Sequence, residues 1–538
     1  DRFPLTPNGK VDERALPLPE GDAAPASAIS EPPQTELERA IADVWAELLG
    51  RSPVGRHDDF FALGGHSLLA ARAAARLSQA LNVDISLRAL FEAPTPAALA
   101  GKLTDYWSLN TDYSPTVSLL LPIERDSART TAPLSPAQQR LWFLQQLDPD
   151  SSFYNIALAL DVRGPLNLPA LERALNRIIA RHESLRTIFP LEGHEPVARI
   201  LPELQVAIPL YEAESLDEAR ALAELLARQP FRLAQAPLLR AHCYRIDADH
   251  HVLAFSLHHI IADGWSLGVM IRELAELYRA ELTGDDPQLP ELTIQYADFA
   301  AWQQRRRQEG SLEADLTYWR DRLRGLPPAT DLPTDFPRPP LQSFRGDHIT
   351  FHLDPALTEG LQRLAQAHDA TLFMVTLAAF QALIHRYAMQ DDLAVGVASA
   401  NRDHPQLEPL IGFFVNTLVM RADFSDDPAF ASFLRRTRET VLEAFAHQQV
   451  PFDDVVEALQ PSRDLARNPL VQTLFVFQNA FDAIPALEGL DWRYLDMEPG
   501  TVKFDLTLSL AETEDGLMGV MGYATDLFRE STIQRFIE

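Results

Sequence analysis

Cysteine is almost missing from this chain, with one residue, Cys243, in 538. No intramolecular disulfide can form and no zinc site can be assembled from thiolates, which fits a reducing, cytoplasmic compartment. Cys243 stands in the apolar run LLRAHCYRI and is expected to be a buried structural residue. Positive charge is short as well: 47 Lys and Arg face 76 Asp and Glu, for a formal net charge of −29. A nucleic-acid backbone requires a basic surface, so it is excluded as the natural partner, and an anionic membrane surface is disfavoured. Long apolar runs are lacking too. The longest, ATLFMVTLAAFQALI at 370–384, falls short of the ~20 residues of a spanning helix and carries helical periodicity, so it reads as a buried core helix. No basic-then-apolar leader opens the chain.

What is present is a soluble globular composition, 46% hydrophobic and 23% charged, in a chain too long for one ordinary core. Residues 1 to about 20 are proline-rich with an Asn8-Gly9 turn signal, and 21–34 (GDAAPASAISEPPQ) read as a linker. At 35–101 the pattern becomes a small helical bundle. Thr35-Glu36-Leu37-Glu38 is a capping box, Leu37, Ile41, Val44 and Leu48 recur at helical spacing, and Gly50 stops the helix. Periodicity dissolves over 102–132, a second linker in which SLLLPI could dock on a neighbour. From 133 to 538 helices and strands alternate, which suggests two similar α/β halves, about 133–305 and 306–538.

Two stretches carry chemistry. In LGGHSLL, Gly64-Gly65 allows a tight turn and sets Ser67 at a helix start. A nucleophile elbow needs G-x-S-x-G, but Leu69 holds the place of the second glycine. In SLHHIIADGWS, a strand ends on His258-His259, Asp263-Gly264 make the turn, and a helix begins near Trp265. Histidine trades protons near neutrality, and N–H groups at a helix start can stabilise a developing oxyanion.

DDFFALGGHSLLAARAAARL resembles the core of a peptidyl carrier domain of nonribosomal peptide synthetases. The resemblance implies that Ser67 carries a covalent 4'-phosphopantetheine arm, with Asp59, Gly64, Gly65 and His66 as the loop around it. SLHHIIADGWS is similar to the HHxxxDG motif of condensation domains, which share the fold of chloramphenicol acetyltransferase. Further blocks follow the family order: LSPAQQRLWFLQQL, RHESLRTIF, YADFAAWQ, IGFFVNTLVMR, HQQVPFDDVVEAL and RNPLVQTLFVFQN. FPLTPNGKVDERAL resembles the last block of an adenylation domain, whose lysine is Lys10 here, with Glu13 where the family usually has arginine. The C-terminal FRESTIQRFIE stops within a helical pattern, so the chain is expected to be a segment of a larger synthetase.

The resemblance implies that His259 is catalytic, either as general base or by orienting the amine, and that Asp263 is a structural strut ion-paired with Arg186. His258 and Gly264 support the motif, and His182 is a core residue. Asn416, Tyr296, Trp302 and Gln478 are pocket-wall or packing candidates. The implied reaction joins a donor thioester on Ser67 to the amine of an acceptor thioester on a downstream carrier, with an L-configured donor and no metal. Implied partners are an upstream adenylation domain, the downstream carrier and a phosphopantetheinyl transferase. Alternatives are an epimerisation domain of the same fold and a non-catalytic recruitment module. Paired aspartates of a heterocyclisation domain and the DFGWG block of plant acyl-CoA transferases are not seen.

Overall fold

A computed structural model describes residues 31–109 and 123–538, apart from 82, 84, 462, 463, 465, 479–483, 488, 498, 499 and 514. Lys10, Glu13 and the block around them lie outside the described residues.

The helical unit consists of α1 (Glu36–Leu49), α2 (Ser67–Leu81), α3 (Leu87–Glu92) and α4 (Pro96–Leu109). Thr35 Oγ1 accepts from the Glu38 N–H at 3.0 Å, and Gly50 ends α1 at φ +62°, a left-handed position that favours glycine. The inner face of α1 is rotated from the one the leucines suggest. Glu38, Ile41, Ala42 and Trp45 are buried, whereas Leu37, Val44 and Leu48 are half-buried. Trp45 has the largest apolar surface on α1 and meets Phe60 edge-on at 4.9 Å, while buried Glu38 is paired with Arg56 at 2.9 Å. Residues 102–109 belong to α4, so the second linker does not begin at Lys102.

The first half of the α/β unit runs β1 (Thr131–Ala132), α5 (Pro136–Leu147), β2 (Asn155–Arg163), α6 (Leu168–Arg181), β3 (Thr187–Ile188), β4 (Leu191–Glu192), β5 (Glu195–Pro196), β6 (Ala198–Ile200), β7 (Leu210–Glu212), α7 (Leu216–Ala227), β8 (Leu239–Asp247), β9 (His250–His258), α8 (Gly264–Thr283), α9 (Tyr296–Gln308) and α10 (Glu313–Arg322). The second runs β10 (Gly346–Leu353), α11 (Pro355–Ala367), α12 (Leu372–Ala388), β11 (Asp392–Ser399), β12 (Asn416–Asp423), α13 (Phe430–Ala446), α14 (Phe452–Leu459), β13 (Thr473–Gln478), β14 (Asp491–Leu495), β15 (Leu506–Thr513), β16 (Gly516–Ala524) and α15 (Glu530–Ile537).

Each half is built on one main sheet, ordered β14-β2-β9-β8-β7 in the first and β10-β16-β15-β13-β11-β12 in the second. The halves are not separable by a cut near residue 305. β14 pairs antiparallel with β2, setting Trp492 opposite Val162, so the second half lends a strand to the first sheet. In β9 every residue after His250 is buried. Leu253, Phe255 and Leu257 join the α6 and α8 core, and Val252 and Ala254 join that of α7 on the other face. Helices on both faces explain why this strand reads as an unbroken apolar run rather than an alternating one.

The approach to β1 is anchored. Ile123, the last residue of SLLLPI, is buried against Ile294, Leu410 and Phe414, and Arg125 bridges Glu183 at 2.7 Å and Asp298 at 3.0 Å. Cys243 is buried in β8 beside Leu253. Among the described residues no single helix is long and apolar enough to cross a membrane. The apolar 370–384 run forms most of α12, with Met374, Val375, Leu377 and Ala378 fully buried.

Candidate functional site

The first sheet delivers the histidine pair. His258 ends β9 opposite Asn155. Its Nδ1 accepts from the Ile260 N–H at 3.1 Å, so the proton resides on Nε2, which donates to Gln145 Oε1 at 3.3 Å. Burial, with the Lys503 ammonium adding to it, pushes the imidazole down to about 3. Both ring nitrogens are committed, and His258 is a neutral structural residue.

His259 is placed differently. Its backbone N–H donates to the Tyr154 carbonyl at 2.7 Å, and the chain then turns through a single 3-10 turn, His259–Ile261. Its Nδ1 lies 2.9 Å from the Ala262 carbonyl oxygen. A carbonyl can only accept, so Nδ1 carries the proton and Nε2 keeps its lone pair. The ring stands edge-on to Phe413 at 4.9 Å. Burial, then the charge of Lys503, hold His259 well below the usual histidine range, so the imidazole is neutral at physiological pH.

Asp263 is the N-cap of α8. Its Oδ1 accepts from the Ser266 N–H at 2.8 Å and from Ser266 Oγ at 2.7 Å. Its Oδ2 accepts from the Phe414 N–H at 3.0 Å. The ion-pair partner is Arg402, at 3.2 Å, with both side chains almost wholly buried. Arg402 also donates to the Leu410 carbonyl at 2.7 Å and lies 4.1 Å from the centre of the Phe414 ring. Ser266 Oγ accepts from the Gly412 N–H at 3.0 Å. Asp263 and Ser266 thereby tie the motif to the loop between β11 and β12. Asp263 thus bridges the helix cap, the Phe414 N–H and Arg402, and the Arg186 partner that the resemblance implied is corrected. Arg186 lies in the 3-10 turn Glu183–Arg186, donates to the Leu201 carbonyl at 2.6 Å, and stands 3.6 Å from Glu183. That turn directs the guanidinium toward Leu201, beside β6, while Asp263 is already filled by the cap, the Phe414 N–H and Arg402.

Gly264 is the first residue of α8 and does not make the turn. It has no positive φ, and a Cβ there would meet nothing within 4 Å, so glycine leaves open space at the helix start. His182 is a buried C-cap of α6: Nδ1 accepts from the Ile411 N–H at 3.3 Å and Nε2 donates to Glu273 at 2.8 Å. Tyr296 supports the loop from below, donating to the Phe413 carbonyl at 2.8 Å; a Cβ on Gly412 would stand 2.1 Å from its ring. Asn416 accepts from the Phe452 N–H at 2.9 Å and donates to the Gln448 and Val450 carbonyls at 2.9 and 2.8 Å, fixing the start of α14. Trp302 packs with Phe299 and Ile123, apart from the motif, and Gln478 is an exposed end of β13.

Residues that the sequence did not single out complete the surroundings. Arg140 of α5 lies 3.8 Å from Asp453 of α14, and burial pushes the Asp453 carboxyl up. The Lys503 ammonium sits 5.6 Å from the centre of the Tyr154 ring, and burial with the Arg140 charge pulls it down to about 8. Arg402 occurs in the irregular SANRDHP, where no periodicity marks a residue as buried.

In the helical unit, Ser67 is the first residue of α2. His66 caps that helix, its Nδ1 accepting from the Leu69 N–H at 3.3 Å. Asp59 Oδ1 accepts from the Phe61 and Ala62 N–H groups at 2.8 and 3.0 Å. Gly64 has φ +101°, and a Cβ on Gly65 would lie 2.3 Å from the Phe60 ring, so both glycines are required. α2 has no acidic residue in its first turn, and its N-terminus favours an anion, which suits the phosphodiester of a group attached at Ser67.

Comparisons with known proteins identify both units of the chain. The family model for the condensation domain matches residues 128–538, and that for the phosphopantetheine attachment site matches residues 39–103. The chain is 44% identical to malpibaldin synthetase of Mortierella alpina over 100% of its own length and 10% of that protein. It is 39% identical to tyrocidine synthase 2 of Brevibacillus parabrevis, over 99% of the chain and 14% of that protein. The chain thus spans only a small part, 14% or less, of these two curated relatives. Among solved structures, the X-domain from teicoplanin biosynthesis, in complex with OxyB, superposes with a TM-score of 0.71 at 30% identity, covering 77% of this chain and 93% of that one.

Proposed function

The chain belongs to the condensation-domain family, with a phosphopantetheine attachment domain ahead of it, and from that membership we propose that it joins two carrier-bound acyl groups through an amide bond. The arm, when attached at Ser67, supplies a thioester, which is already activated for acyl transfer. The observation that carries the reading is the tautomer of His259: Nδ1 is spent on the Ala262 carbonyl, so the basic nitrogen left for a substrate is Nε2.

In the proposed step, the amine of the acceptor attacks the donor thioester carbonyl carbon. The carbonyl π electrons move onto oxygen, and Nε2 of His259 takes the proton that the nitrogen loses. When the carbonyl re-forms, the C–S bond breaks with its electron pair on sulfur, and the imidazolium returns the proton to the departing thiolate. The neutral imidazole keeps the Nε2 lone pair with which to accept the proton, and general-base catalysis contributes about 10²–10⁴-fold. Holding two tethered reactants together supplies a further share of the acceleration. His258 fixes the corner, and Asp263 with Arg402 holds it against the second half.

The order of the two domains supports Ser67 as donor site, and the motif wording supports an L-configured donor. Upstream adenylation, a phosphopantetheinyl transferase and a downstream carrier complete the proposed set of partners. The test loads an L-aminoacyl group on phosphopantetheinylated Ser67, adds a separate aminoacyl carrier, and follows the mass of the acceptor. The acceptor is expected to gain the donor residue, and Ser67→Ala to abolish the gain. A donor that stays on Ser67 with inverted configuration would establish epimerisation instead. Stable binding of another protein without transfer would establish recruitment.

A further inference from the structure

The turn that carries His259 rests on the start of α5. Ser135 and Gln138 form the capping box of that helix: Ser135 Oγ accepts from the Gln138 N–H at 3.2 Å, and Gln138 Oε1 accepts from the Ser135 N–H at 3.2 Å. A capping box needs only that acceptor oxygen, and glutamate supplies it as well as glutamine does. The amide nitrogen of Gln138 has a second task. Its Nε2 donates to the Ile260 carbonyl at 3.0 Å, inside the 3-10 turn His259–Ile261. The Ile260 N–H is bound to His258 Nδ1, so both backbone polar groups of Ile260 are fixed. Two residues on, the Ala262 carbonyl takes the Nδ1 proton of His259. The same cap reaches the other wall of the ring. Tyr296 spends its proton on the Phe413 carbonyl, so its oxygen accepts from Ser135 Oγ at 2.9 Å. Hydrogen bonds thus run with one polarity from the Gln138 N–H through Ser135 and Tyr296 to Phe413, whose ring stands edge-on to His259. Ser135, Gln138 and Tyr296 are 1%, 2% and 5% exposed, so deleting one of them strands a buried partner.

We propose that Gln138 is a positioning residue for His259: its amide donor locks the Ile260 carbonyl, and with it the Ala262 carbonyl that selects the Nδ1–H tautomer. A neutral imidazole has two tautomers, and which one is present is set by the hydrogen bond its other nitrogen makes. With the turn locked, Nδ1 keeps its acceptor and Nε2 keeps its lone pair. With the Ile260 carbonyl released, the Ala262 carbonyl drifts from Nδ1. The ring then also populates the tautomer whose Nε2 carries the proton and cannot take one from an amine. The bond from the His259 N–H to the Tyr154 carbonyl fixes the entry to the turn, whereas Gln138 fixes a carbonyl beyond it. The proposal deepens the reading of His259 as base and rests on it for its catalytic meaning.

Gln138→Glu separates the two tasks. It keeps the acceptor that caps α5, and as a carboxylate it has no proton to give Ile260. ¹⁵N-histidine NMR of the whole chain, with His259→Ala assigning the resonance, is recorded beside transfer from loaded Ser67 at varied acceptor concentration. At about pH 9, where even a buried carboxyl ionises, Gln138→Glu is expected to show a mixture of the two His259 tautomers. Its rate at saturating acceptor should fall about 10–10²-fold, with the half-saturating acceptor concentration within about twofold of the unsubstituted chain. Toward about pH 6 the carboxyl gains a proton and donates to Ile260. The single Nδ1–H tautomer should then return, with most of the rate relative to the unsubstituted chain. Gln138→Met removes donor and acceptor together and carries the same measurements, without the recovery, if Gln138→Glu fails to fold. A single tautomer in the variant at about pH 9, or a rate loss that the lower pH does not reverse, would overturn the proposal. Mixed tautomers with an unchanged rate would overturn it as well. Transfer by His259→Ala at the unsubstituted rate would sink the base reading, while the tautomer measurement still decides what Gln138 holds.

Discussion

Residues 256–266 and 402–416 meet within the α/β unit, yet they spend their sequences differently. The first presents the reactive group, and almost every residue in it has a visible job: two histidines with opposite tautomers, an N-cap, and a glycine that leaves space at a helix start. The second presents backbone and burial. Its contributions are the Arg402 guanidinium, the Phe414 N–H on Asp263, the Gly412 N–H on Ser266 and the Phe413 ring on His259. A histidine at a corner is a common feature. What makes this one a candidate site is that a loop from the other half closes over it and fixes its geometry.

Breaking the tie between the two segments should have the largest effect on stability. Asp263→Ala leaves the Arg402 cation buried and unpaired, and is expected to cost about 3–5 kcal/mol in denaturant unfolding. Adding Arg402→Met should return part of that loss, because the double variant buries no lone charge, and a fully additive double variant would contradict the pairing. Asn416→Ala removes four hydrogen bonds at the base of the second segment and is expected to cost about 1–3 kcal/mol. Acidification sharpens the comparison through the first segment. His258 binds its proton far less readily when folded, near 3, than at the ordinary value of 6.5. Its contribution to stability is full above 6.5 and is lost as pH falls from there toward about 3, which a pH series of unfolding midpoints measures. The smallest effect is expected from Arg186→Met, within about 1 kcal/mol and without coupling to Asp263, because its ion pair with Glu183 is long and Glu183 retains Arg125.

That ranking also shows what is legible in the sequence. The α/β alternation, the helical unit and the histidine corner can be read because periodicity and short-range spacing carry them. α12, β9 and α8 lie where the apolar patterns put them, and Ser67 opens α2 as LGGHS suggests. The inner face of α1 differs from the expected one because spacing counts leucines equally, whereas burial follows the tryptophan. The partner of Asp263 differs for a related reason. Its true partner is 139 residues away in an irregular loop, and only the tertiary fold brings the two charges together. Lys503 is invisible in the same way: it belongs to no periodic segment, and only the tertiary fold sets its ammonium against the Tyr154 ring of the other half.

The measurement that bears most directly on the site is single-turnover transfer from loaded Ser67 to an acceptor aminoacyl carrier, comparing the unsubstituted chain with His259→Ala by intact-protein mass. A base at Nε2 predicts a fall of about 10²–10⁴-fold with an unchanged unfolding midpoint. Transfer by His259→Ala at the unsubstituted rate would contradict it.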